Sequence, residues 1–114
     1  MALLELEKAE WRSFFDLASK VLIGKRAEIE VASLAIGDQI VAKWLPLRAL
    51  VYDPKSDLIE IILDGLEHMV YSPRQLFIEG PQIGCSSFGM TDRDGSLWII
   101  RLRDPLMLPA AFDA

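Results

Sequence analysis

The chain has 114 residues, of which 52% are hydrophobic and 25% charged, and these values are typical of one folded domain of about 100–200 residues. Its formal net charge is −5 and its 12 Lys and Arg residues are scattered. This excludes the clustered positive charge that binds a phosphate backbone, so we expect no nucleic-acid partner. No apolar run approaches the roughly 20 residues that span a bilayer, so we also expect no membrane partner.

Cys85 is the single cysteine of the chain, which excludes an intrachain disulfide. Proteins without disulfides are typical of reducing compartments. We therefore expect a soluble, cytoplasmic protein.

One amphipathic helix is predicted near the N terminus, over about residues 8–23. Apolar side chains recur at intervals of three and four from Trp11 to Leu22, and polar residues fill the other side. Gly24 is suited to the C-terminal cap. A Trp-Phe-Phe stripe at helical spacing is typical of a face packed on a sheet, so we interpret it as core rather than as a ligand site.

Beyond Gly24 the hydrophobic pattern has a period of two, which predicts strands as far as Arg103. Because the connections are short, neighbouring strands should be antiparallel. We predict an α+β fold in which the helix packs on a curved antiparallel β-meander of six to seven strands over about residues 26–103. A small barrel or roll would also fit this pattern. We treat residues 1–114 as a single domain with an apolar C-terminal tail at 104–114.

The segment from Leu47 to Gly65 predicts a β-hairpin whose second strand, about residues 58–63, is apolar on both faces. The helix can cover only one face, so Leu58 and Ile62, which flank Glu60, need another cover. A second copy of the chain would supply it. The tail residues Leu106, Met107 and Leu108 are the other candidates for an interaction surface, because exposed apolar patches mark partner sites.

His68 is the only histidine, and it carries the alternative interpretation. A general base needs an orienting partner, for which Asp64 and Asp92 are candidates, and a nucleophilic Cys85 would need His68 nearby in space. One histidine and one cysteine give no metal-ligand spacing, and no phosphate loop is present, so we expect no cofactor and no metal. The alternative is a small enzyme or ligand-binding domain that uses His68 with nearby acids.

Several segments resemble a known family. They are Glu10–Asp16 (EWRSFFD), Gly24–Val31 (GKRAEIEV), Trp44–Leu47 (WLPL), Tyr52–Lys55 (YDPK), Leu66–His68 (LEH) and Leu102–Leu106 (LRDPL). In this order and spacing they resemble a family of short prokaryotic proteins classed as a domain of unknown function. The resemblance covers almost the whole chain and implies a stand-alone, single-domain cytoplasmic protein, with no catalytic or binding residues to carry over.

The sequence therefore favours a small non-enzymatic interaction or binding module that self-associates. Its expected partners are a second copy of the chain or another protein.

Overall fold

The computed structural model describes residues 3–35, 37–79 and 87–103. The elements in these residues follow in chain order. They are β1 (Leu3–Leu6), a 3-10 turn (Lys8–Glu10), α1 (Trp11–Val21), β2 (Arg26–Ser33), β3 (Gly37–Asp53), β4 (Leu58–Leu63), β5 (Leu66–Tyr71), β6 (Pro73–Glu79), β7 (Ser87–Asp92) and β8 (Leu97–Arg103).

All strand pairs are antiparallel, and hydrogen bonds order the sheet as β1-β6-β7-β8-β2-β3-β4-β5. The α+β class and the antiparallel sheet are confirmed, but the predicted six to seven strands were too few, because the described residues form eight. The strand that was not predicted, β1, pairs with β6, which is far away along the chain. The sheet is open rather than a closed barrel, since β1 and β5 end it and are not bonded to each other.

Strand β3 joins the two halves of the sheet. It has 17 residues and continues through Pro46. The part of β3 before Pro46 pairs with β2, and the part after it pairs with β4. Pro46 cannot donate to a ladder, so it suits the point where β3 exchanges one partner strand for the other. Trp44, two residues earlier, has a φ of 55°, which turns the strand there.

We call the face that carries Ile59, Ile61 and Leu63 the inner face and the opposite side the outer face. These three side chains are buried, whereas Leu58, Glu60 and Ile62 are half-buried on the outer face, as the alternation of a strand requires. The core lies on the inner face, where it includes buried residues from all eight described strands and from the helix.

Helix α1 packs on the inner face through its apolar stripe, so the interpretation of that stripe as core is confirmed. The ring of Trp11 meets Tyr52 of β3 at 5.4 Å between centroids. The ring of Phe14 meets Phe88 of β7 at 5.8 Å, and that of Phe15 meets it at 6.1 Å. Edge-to-face contacts of this kind stabilise aromatic clusters. The helix therefore bridges the two halves of the sheet.

The hydroxyl group of Ser19 fastens the helix to β3. Its Oγ donates to the carbonyl oxygen of Leu50 at 2.6 Å and accepts from the amide of Leu50 at 3.3 Å. At this point β3 has β4 on one side and the helix on the other. Ser19 therefore satisfies two backbone groups that no neighbouring strand reaches.

Candidate functional site

His68 lies on the inner face of β5, because it pairs directly with the buried Ile61. Its imidazole ring packs against the indole ring of Trp98 on β8, with 4.4 Å between centroids. His68 Nε2 is buried and has no hydrogen-bond partner in the part of the chain that the structure describes. Burial lowers the pKa of His68, so its imidazole is neutral near pH 7.

Asp92 closes the turn between β7 and β8. Its Oδ1 accepts from the amides of Asp94 at 2.9 Å and Ser96 at 3.1 Å, and its Oδ2 accepts from Trp98 Nε1 at 3.1 Å. Trp98 thus contacts both His68 and Asp92. The carboxylate is engaged by three donors, which is the arrangement of a turn anchor rather than of a free base.

The remaining candidates for catalysis lie elsewhere. Asp64 is in the turn between β4 and β5, where its side chain is 59% exposed and pairs with Arg48 at 3.4 Å. Cys85 lies outside the described residues. Within residues 3–35, 37–79 and 87–103, no group of three or more His, Cys, Asp and Glu side chains is placed to hold a metal ion.

The predicted interaction residues of β4 border an edge of the sheet. Leu58 pairs with Tyr71 and Ile62 pairs with Glu67 across the β4–β5 ladder. Tyr71 is 64% exposed, and Val51 of β3 is also exposed on the outer face. The other predicted residues, Leu106, Met107 and Leu108, lie outside the described residues.

A shallow apolar groove crosses the outer face of the other half of the sheet. Phe77, Gly89 and Ile99 lie side by side on β6, β7 and β8. The groove has a volume of about 300 Å³ and is lined by Leu3, Phe77, Glu79, Ser87, Phe88, Gly89, Leu97 and Ile99. Gly89 lies at the middle of the groove and leaves space there because it has no side chain. A Cβ added to Gly89 would lie 3.0 Å from the carbonyl oxygen of Trp98. A glycine inside a strand was the only sequence signal for this feature.

Comparison with known proteins gives a family and one relative. A model described as a family of unknown function (DUF5335) matches residues 2–111. An uncharacterized protein of Aquifex aeolicus (strain VF5) is 32% identical over 110 residues, which cover 96% of this chain and 99% of that protein. No solved structure matches the chain. Among the described residues there is no helix with the length and hydropathy needed to cross a membrane.

Proposed function

We propose that this chain, which belongs to DUF5335, a family of unknown function, is a non-enzymatic interaction module that self-associates through the free edge of β5. The observation that carries this proposal is the state of that edge. β5 has six residues and, in the described part of the chain, is hydrogen-bonded only to β4. An unpaired edge is a template for a further strand.

The other open edges of the sheet are less suited to pairing. β1 has only four residues. Among the described strands, none lies beside the part of β3 before Pro46 on the side opposite β2, but this stretch carries the exposed Lys43. Short length and exposed lysine are features that prevent strands from pairing between molecules. β5 contains no lysine, no proline and no bulge.

An antiparallel pair of β5 strands related by a two-fold axis would be self-complementary. With the axis at Met69, Glu67 of one copy lies opposite Tyr71 of the other, so the two Glu67 carboxylates do not face each other. The exposed Tyr71 would then lie between β4 of its own chain and β5 of the second copy, rather than at the edge of the sheet. Leu58 and Ile62, the direct neighbours of Tyr71 and Glu67 on β4, would extend the same outer face towards the second copy.

The test is the molar mass of the full chain, measured by sedimentation across a concentration series. We expect a monomer–dimer equilibrium that Met69→Lys weakens by about tenfold, because this change places two ammonium groups opposite each other at the axis. Val51→Lys is the matched control, since it adds the same charge to an exposed outer-face position on β3 and should leave the equilibrium unchanged. A single monomeric mass at every concentration, or an equal response to both variants, would overturn the proposal.

A further inference from the structure

Two arginines face each other across the β2–β8 ladder. Arg26 and Arg103 are direct partners in this pair. Their neighbours Ala27 and Leu102 are buried on the inner face, so both arginine side chains lie on the outer face. Like charges directly opposite each other destabilise a strand pair. A negatively charged group bound near both arginines would offset this repulsion.

Trp44 contacts the guanidinium groups of both arginines. The guanidinium carbon of Arg103 lies 4.1 Å from the centroid of the Trp44 ring, and Arg26 Nη1 donates to the Trp44 carbonyl oxygen at 3.5 Å. An arginine stacked on an aromatic ring keeps its in-plane N–H groups free for a planar acceptor. Trp44 does this from a φ of 55°, which is unfavourable for a bulky side chain. Such strain is concentrated at functional sites, and in this conformation the ring of Trp44 contacts Arg103 while its carbonyl oxygen contacts Arg26.

No carboxylate of the described residues neutralises this pair. The acids on the same face of β2, Glu28 and Glu30, both bind Arg101 Nη1, at 3.0 Å and 2.7 Å. Arg26 and Arg103 form no salt bridge with any residue that the structure describes, and the Nε atom of each is buried there without a partner. Arg101 thus pairs with two acids, whereas Arg26 and Arg103 pair with none among the residues that the structure describes.

We propose that Arg26 and Arg103, positioned by Trp44, form a binding site for an oxyanion, either a phosphate or a carboxylate group. The guanidinium fork matches the paired oxygens of both groups. The oxyanion has two possible sources, a small molecule or the acidic residues Asp104 and Asp113 that follow β8. This site is separate from the β5 edge, and its test does not depend on self-association.

The probe is inorganic phosphate, titrated into the isotope-labelled full chain at constant ionic strength and followed by the NMR signal of the Trp44 indole N–H. We expect a saturable shift. Arg26→Gln and Arg103→Gln should each weaken binding by about tenfold, since each removes a charge-assisted hydrogen bond. Arg12→Gln is the matched control because Arg12 is exposed on α1, and it should bind phosphate as the unchanged protein does. The indole signals of Trp11, which is buried, and of Trp98, which packs against the core, report whether each variant is folded.

Arg103→Lys keeps the positive charge, so it separates the effect of charge on phosphate binding from the effect of the guanidinium geometry. It should still weaken binding, because lysine does not offer the planar fork. If the unchanged protein shows no shift, the double variant Asp104→Asn, Asp113→Asn should bind phosphate, because it lacks the two competing carboxylates. Adding Arg103→Lys to this double variant should then weaken phosphate binding. That result would assign the oxyanion to the chain itself. The proposal is overturned if neither the unchanged protein nor the Asp104→Asn, Asp113→Asn double variant binds phosphate saturably. It is also overturned if Arg12→Gln weakens binding as much as Arg26→Gln does.

Discussion

The imidazole ring of His68 on β5 rests against the indole ring of Trp98 on β8, with 4.4 Å between their centroids. These strands are four places apart in the hydrogen-bonded order of the sheet. The two rings meet only because the sheet folds over at β3, so that both inner faces enclose one core. Their contact therefore reports on the folding of the sheet as a whole.

The position of His68 predicts a loss of stability in acid. Burial lowers its pKa in the folded protein below the ordinary value of 6.5, so the unfolded chain binds a proton more readily. The free energy of unfolding should therefore be highest above pH 6.5 and fall as the pH decreases through 6.5 towards the folded pKa. Because His68 keeps some solvent contact, the slope should stay well below the limit of about 1.4 kcal/mol per pH unit for one proton.

Urea denaturation at pH 7.5 and at pH 5.5 measures this effect. His68→Phe keeps a ring against Trp98 and has no titrating group, so its free energy of unfolding should fall less between the two pH values than that of the unchanged protein. Acidic residues contribute to both proteins alike, and the comparison isolates the histidine. Equal losses in the two proteins would contradict the assignment.

Removal of the Asp92 side chain should destabilise the turn between β7 and β8. Asp92→Ala leaves the amides of Asp94 and Ser96 and the indole N–H of Trp98 without their acceptor. We expect a loss of about 1–3 kcal/mol in the free energy of unfolding, measured by urea denaturation. Asp94→Ala, at an exposed position of the same turn, should change it by less than about 0.5 kcal/mol. Similar losses for the two variants would show that the three hydrogen bonds contribute little.

Ser19→Ala should loosen the helix from β3. Both the amide and the carbonyl group of Leu50 lose their partner, and unpaired buried backbone groups are costly, so we expect a loss of about 1–3 kcal/mol. Hydrogen exchange of the Leu50 amide should also become faster. Ser13→Ala on the exposed side of the helix is the control and should have almost no effect. Unchanged exchange at Leu50 would mean that the Ser19 hydroxyl does not protect it.

Gly89→Ala should destabilise the protein, although alanine usually stabilises a strand relative to glycine. The reduced freedom of the unfolded chain would contribute about 0.4–1 kcal/mol in favour of alanine. The new Cβ, however, would lie 3.0 Å from the Trp98 carbonyl oxygen, and overpacking costs about 1–3 kcal/mol. Since that oxygen belongs to a strand of the sheet and cannot rotate away, we expect the second term to exceed the first.

Thermal denaturation provides the measurement for Gly89. Ser96→Ala, between β7 and β8, also introduces an alanine but creates no such contact, so it serves as the control. A higher midpoint for Gly89→Ala than for the unchanged protein would show that the strand can move away from the added atom.

Local chemistry made several features predictable. The turn after Tyr52 is held as its sequence indicates, because Asp53 Oδ1 accepts from the amide of Lys55 at 3.0 Å and Asp53 Oδ2 accepts from Ser56 Oγ at 3.0 Å. Gly24 adopts a φ of 91° beyond the helix, a conformation that favours glycine, but the cap of α1 is Leu22 and not Gly24 as predicted. These features depend on residues only a few positions apart.

The features that were missed depend on residues far apart along the chain. β1 has no strong alternation of its own and becomes a strand by pairing with β6. The arrangement of Arg26, Arg103 and Trp44 had no local signal, because these residues come from β2, β8 and β3.

The helix, its buried apolar stripe, the alternation of β4 and the antiparallel class of the sheet were predictable from the sequence. Hydrophobic periodicity and turn chemistry act over a few residues, so local sequence is enough to reveal them. The order of the strands and the continuation of β3 past Pro46 became clear only from the fold. So did the contact of His68 with Trp98 and the contacts of Arg26 and Arg103 with Trp44. These contacts arise from strand pairing and from the fold of the sheet at β3, which bring together segments that are far apart along the chain.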